Sequence, residues 1–210
     1  MWPIEKLGQM FNKFPGIGPR QAKRFVYFLL SENITYVKEL VELITRLKNE
    51  VSHCPTCFKF SLSKVGQGCE SCLDPNKDGS ILMVVAKDID LENINRSGEF
   101  NGRYFILGGL LPILEKNPEQ KIRIRELILL VQKFGASQQL KEIIIALSAN
   151  PEGDNTADYV KNALEPVCKN VRSESSNIIK ISVLGRGLST GTELEYSDSD
   201  TIKNALKNRQ

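Results

Sequence analysis

The chain has one histidine among its 210 residues and no run of eighteen apolar residues. The histidine, His53, abuts Cys54, and a single imidazole in that setting argues against His-dependent acid–base or nucleophilic catalysis. Without a long apolar run there is no candidate transmembrane helix. The opening MWPIEKLGQMF lacks the basic start and apolar stretch of a secretory signal, so the expected location is the cytosol. No G-K-[ST] occurs, which excludes a P-loop, and internal repeats and low-complexity segments are also missing. Hydrophobic residues at 41% and charged residues at 25% belong to an ordinary globular protein able to bury a core.

What is present is unevenly placed. The net charge is +3, and residues 1–50 hold eight Lys or Arg against five Glu, while the rest of the chain is balanced. That surplus suits a polyanion, or it is a solvated helical face. It surrounds the stretch FNKFPGIGPRQAKRF, residues 11–25. Apolar residues at helical spacing precede it (Ile4, Leu7, Phe11, Phe14) and follow it (Ala22, Phe25, Val26, Leu29). Between them Pro15, Gly16, Gly18 and Pro19 forbid a continuous helix. A third helix is expected over about 36–49.

Two short helices around a Gly-Pro turn, the second opening with cations, resemble a helix-hairpin-helix nucleic-acid-binding motif. Gly16 and Gly18 leave room for a bare backbone turn beside a phosphate. Pro19 suits a first helical position, where free N–H groups and the positive dipole end gather. Arg20 and Arg24 share a helical face with Lys23 beside them, and such residues contact phosphates more than bases. A dinucleotide fingerprint is excluded because position 21 is Gln and no strand precedes. An ordinary turn between antiparallel helices remains the plain alternative.

Residues 51–80 are rich in Gly, Ser and Cys. Cys54-x2-Cys57 and Cys69-x2-Cys72, eleven residues apart, have the spacing of two thiolate knuckles around one tetrahedral zinc ion. Disulfides are disfavoured without secretion, and a thioredoxin-like motif comes once, beside a strand–helix unit. Four thiolates close the coordination sphere, so the expected Zn2+, one per chain, is structural and braces the helical part against the α/β part. Cys168, in a helical pattern, reads as a packed apolar residue.

From residue 81 short β-branched runs at 81–86, 103–107, 142–147 and 178–184 read as buried strands. Helical periodicity over 122–136 and 155–168 separates them, which predicts a parallel α/β sheet. Glu152 and Asp154 follow the third run, at the carboxyl edge where such sheets place their sites. An acid-x-acid pair there resembles a Toprim domain, the unit with which topoisomerases and primases hold magnesium beside phosphates. The expected organisation is therefore α/β: a helix-hairpin-helix region (1–50), a small four-Cys zinc finger (51–78), a Toprim-like parallel α/β domain (79–185) and a C-terminal tail (186–210).

Over nearly its whole length the chain resembles the bacterial recombination-mediator family RecR. The resemblance rests on FPGIGPRQAKR, CPTC…CESC, GEFNGRYFILGGLLPIL, PEGDNTA and RGLSTGTELEY in that order. It implies a non-enzymatic, DNA-binding protein of recombinational repair in the bacterial cytoplasm, associated with the nucleoid. Such proteins form ring tetramers through their N- and C-terminal parts and, with RecO or RecF, load RecA onto single-stranded DNA. Arg20 and Arg24 match the family's DNA contacts, and Glu152 and Asp154 match its RecO or RecF surface. Two departures stand out. Ala86 occupies the place of the family's Glu after the first strand, which removes the carboxylate needed for metal-assisted proton transfer. EKNPEQKI replaces a Gly-rich loop after LGGLLPIL. A Toprim-type metal-dependent nuclease or strand-passing enzyme is the alternative reading. The Gly-rich segment 185–191 reads as a connection to a locally acidic tail (Glu193, Glu195, Asp198, Asp200), not a phosphate cradle.

Overall fold

The computed structural model describes residues 2–62, 66–137, 140–170, 178–185, 191, 195, 197 and 199–207. The chain divides into two compact units, Met1–Ser52 and His53–Gln210.

The first unit is helical. α1 (Pro3–Phe11) and α2 (Pro19–Ser31) each begin with proline at the first turn, where the missing N–H costs nothing. Gly8 lies where a Cβ would come 4.0 Å from a Val26 methyl, so the two helices approach closely. Phe11 meets both Phe14 and Phe25 edge-to-face at 5.7 Å, closing the hairpin around Ala22 and Val26, the two buried residues of α2. Asn33 then caps α3 (Ile34–Glu50), its side chain accepting the Tyr36 amide at 2.8 Å. The link is tight, because Glu32 closes α2 and Asn33 opens α3.

A short ribbon of β1 (Ser52–His53) and β2 (Phe60–Ser61) and the one-turn α4 (Glu70–Leu73) come first, and the second unit is then built on a four-stranded parallel sheet. β3 (Asp78–Val85) pairs with β4 (Gly102–Ile106) on one side and β5 (Glu142–Ala146) on the other, and β6 (Lys180–Val183) pairs with β5. Side chains alternate between two cores, as period 2 requires. Leu82, Val84, Phe105, Ile143 and Ile145 face α7 (Ile124–Ala136) and α8 (Pro151–Asn170), meeting Leu127, Val131, Val160 and Leu164. Met83, Val85, Tyr104 and Ile106 gather on the opposite face with Leu91 of α5 (Asp88–Ser97). Each fully buried Leu or Val contributes on the order of 1.5–3 kcal/mol. Cys168 is buried in the first core, as its helical pattern suggests. The EKNPEQKI segment carries a one-turn helix, α6 (Pro118–Lys121), and α9 (Ser199–Lys207) lies in the C-terminal tail. Within the tail, 186–190, 192–194, 196, 198 and 208–210, including Glu193 and Asp198, lie outside the described residues, as does the side chain of Asp200. Among the described residues no helix is long and apolar enough to cross a membrane.

Candidate metal centre and nucleic-acid interface

Arg20, Lys23 and Arg24 all stand exposed in the first two turns of α2. The first turn carries no acid, and the N-cap, Gly18, has no side chain to occupy the free amides. None of the three cations is in an ion pair among the described residues. Of the two glycines, Gly16 takes the left-handed conformation, at φ +74°. Gly18 is extended, at φ −85°, and its carbonyl accepts the Ala22 amide at 2.9 Å. Gly16 therefore makes the turn, and Gly18 keeps the helix mouth bare.

Cys54, Cys57 and Cys69 are buried and Cys72 half-buried, with all four sulfurs within 4.8 Å of one another. Cys57 and Cys69 lie 3.5 Å apart and Cys54 and Cys72 3.8 Å, close to the ~3.8 Å edge of a tetrahedron with ~2.3 Å metal–sulfur bonds. The Thr56 and Cys69 amides point at the Cys54 sulfur, at 3.5 and 3.3 Å, as they do toward a thiolate. Hydrogen bonding from Cys57, then Cys72, holds the Cys69 thiol far down, at about 2. Its bond to Cys69 pushes Cys57 up to about 12, and Cys72 is raised by its bond to Cys57. With Cys69 pushed down and Cys57 and Cys72 pushed up, these apposed sulfurs are in a conflict that a thiophilic divalent cation relieves. The four cysteines fit such a cation.

This cluster is joined to the sheet. The Cys57 carbonyl accepts the amide of Ile106 at 2.9 Å. Ile106 ends edge strand β4, and the next amide, of Leu107, points the other way, to Val85. The knuckle therefore covers an outward-facing donor that would otherwise invite another strand. Phe58 packs edge-to-face on Phe105 at 5.5 Å, and the Phe60 amide donates to Asp88 at 2.9 Å. Asp88 also opens α5, with Asp90 capping the Lys87 amide at 2.9 Å.

At the carboxyl end of the sheet, Val85 stands opposite Ala146, so Ala86 and the segment leading to α8 leave side by side. α8 starts at Pro151, four residues before the helix expected from periodicity. Glu152 and Asp154 consequently sit exposed in its first turn, not in a loop. The glycine between them is forced: a Cβ at Gly153 would come 1.8 Å from the Ser148 carbonyl oxygen. The remainder of PEGDNTA works as a latch that the sequence alone does not reveal. The buried Thr156 hydroxyl accepts the Leu111 amide at 2.8 Å and donates to the Glu152 carbonyl at 2.6 Å. Asn155 donates to the Leu111 and Pro112 carbonyls. Two of the signature segments, PEGDNTA and GGLLPIL, thus hold each other.

A parallel sheet with this order, carrying a four-cysteine knuckle on its edge and acids beyond its third strand, defines a Toprim-domain protein with a candidate metal centre. A family model described as Toprim domain matches residues 80–172, and one described as RecR, C-terminal, matches 187–210. The chain is 34% identical over 208 residues to "Recombination protein RecR" of Bdellovibrio bacteriovorus, covering 98% of this chain and 96% of that one. It is 36% identical to the protein of the same name from Synechococcus sp. strain JA-3-3Ab, covering 99% and 97%. The chain belongs to the RecR family of recombination proteins, and its role is in recombinational repair.

Proposed function

We propose that the protein is a DNA-binding scaffold that helps load RecA onto single-stranded DNA with RecO or RecF. The observation that carries this is the open start of α2: three unpaired, exposed cations beside free helix amides, behind a left-handed Gly16 turn. That arrangement grips phosphates without reading bases. The four cysteines hold one structural Zn2+, and Glu152 and Asp154 face the protein partner. The work is divided among a DNA-binding region (1–50), a zinc finger (51–78), a partner-binding Toprim domain (79–185) and an oligomer-forming tail (186–210). The setting is the bacterial cytoplasm, close to the nucleoid.

Assembly into a ring tetramer is supported by what the first unit leaves uncovered. α3 buries none of its residues, and Val41, Ile44 and Leu47 are more than half exposed. Helices with so much bare apolar surface need a partner chain. Catalytic turnover is not expected, since Ala86 offers no carboxylate at the end of β3.

The test is reconstitution of RecA filament formation on single-stranded DNA coated with its binding protein, with RecO or RecF added. The wild-type chain should accelerate loading, and Arg20→Ala with Arg24→Ala should not. Equal acceleration by both would defeat this reading. Reproducible DNA nicking with magnesium or manganese that disappears in Glu152→Ala would establish the nuclease instead.

A further inference from the structure

A crevice of about 430 Å3 opens in the second unit beside the carboxyl ends of β3 and β4. Ala86, Lys87, Asp88, Arg123, His53 and Phe60 contribute to its lining. Its two strong cations carry no ion pair among the described residues. Arg123 is fixed in place: its amide donates to the Leu107 carbonyl at 2.8 Å, and Nη1 donates to the Ile106 carbonyl at 3.1 Å. Its guanidinium also lies 5.0 Å from the centre of the Phe58 ring. These contacts use few of its five N–H donors. Lys87 is exposed. Among the described residues the one lining carboxylate, Asp88, already accepts the Phe60 amide, and Ala86 adds no charge.

The other side of the crevice is aromatic. His53 and Phe60 stack with ring centres 4.2 Å apart and planes 27° from parallel. His53 is held by a 3.0 Å hydrogen bond between Nδ1 and the Phe58 carbonyl. Phe60 remains 52% exposed despite its stacking partner. A fixed, half-exposed ring beside two uncommitted cations has the chemistry of a nucleotide unit, with a flat face for a base and paired positive charge for a phosphate.

We propose that this crevice holds one nucleotide, its base against Phe60 and its phosphate between Lys87 and Arg123. The proposal rests on the DNA-binding reading above and adds a second contact, in the other unit of the chain. The same chemistry comes from a free mononucleotide or from one residue of a single strand.

Irradiating the full-length, zinc-loaded protein with an iodouracil-substituted single strand should cross-link Phe60 or His53. Adducts confined to other peptides would overturn the proposal. In fluorescence anisotropy with an oligothymidylate, Phe60→Ala should weaken binding about tenfold. Lys87→Gln with Arg123→Gln should flatten the slope of log affinity against log salt by about 0.7, the share of one phosphate. Circular dichroism and zinc content check that each variant is folded. Equilibrium dialysis with thymidine monophosphate assigns the source. Binding lost in the Lys87/Arg123 variant indicates a free nucleotide, and no binding alongside a flattened oligonucleotide slope indicates the strand. Wild-type oligonucleotide behaviour in that variant, with mononucleotide binding absent or unaltered, overturns the crevice. Loss of binding in Arg20→Ala with Arg24→Ala would then leave the hairpin reading standing, whereas a wild-type protein that binds no DNA defeats both.

Discussion

The Thr156 hydroxyl shows how much one side chain can hold, since it joins residues 45 positions apart in sequence. Thr156→Val keeps the shape but leaves the buried Leu111 amide without its acceptor, at a cost of about 1–3 kcal/mol. Thermal unfolding of the variant should show a lower Tm, and an unchanged Tm would mean that the latch is idle. Glu142 offers a second test at this scale. The Ser182 hydroxyl, at 2.7 Å, chiefly holds its carboxyl below the usual carboxylate range, with help from Lys180 at 3.4 Å. A depressed folded value contributes stability above the unfolded carboxylate range, and that contribution fades as pH falls through the folded value. Ser182→Ala should raise the Glu142 titration toward its ordinary position, as a carboxyl carbon resonance would record. Thr156 could not be assigned its role from sequence, because its partner is fixed only by the fold. Cys54, Cys57, Cys69 and Cys72 were legible, because knuckle spacing is local and ligand chemistry dictates it.

Among the elements, the four strands from β3 to β6 were readable because runs such as ILMVV and EIIIA are β-branched, apolar and short. α5 and the start of α8 were harder, since DIDLENINRS and PEGDNTA are polar and their helical faces emerge only against the sheet. The joining of the cysteine knuckle to β4 was not legible at all. It depends on a main-chain carbonyl, at Cys57, meeting an edge-strand amide, at Ile106. This contact predicts the effect of metal removal. Chelation should release the knuckle, so that the Ile106 amide exchanges with solvent much faster while the Val85-bound Leu107 amide changes little. Hydrogen exchange measured with and without chelator decides this, and equal protection of Ile106 in both states would show that the metal does not brace the edge.

For the whole molecule, the question is what covers the apolar faces of the first unit. Ile44 and Leu47 stand 54% and 60% exposed on α3. Replacing both with Asp should lower the mass found by light scattering toward that of a single chain while preserving helical circular dichroism. An undiminished mass would place the assembly surface elsewhere. Function, however, turns on whether the bare, cationic start of α2 holds the nucleic-acid backbone. Its most direct test is the salt dependence of single-stranded DNA affinity for the wild type and for Arg20→Ala with Arg24→Ala. The expected log–log slope is about −0.7 per phosphate contacted, and shallower by about 1.4 in the variant, which lacks two such contacts. Identical slopes in the two proteins, or affinity indifferent to salt in the wild type, would contradict it.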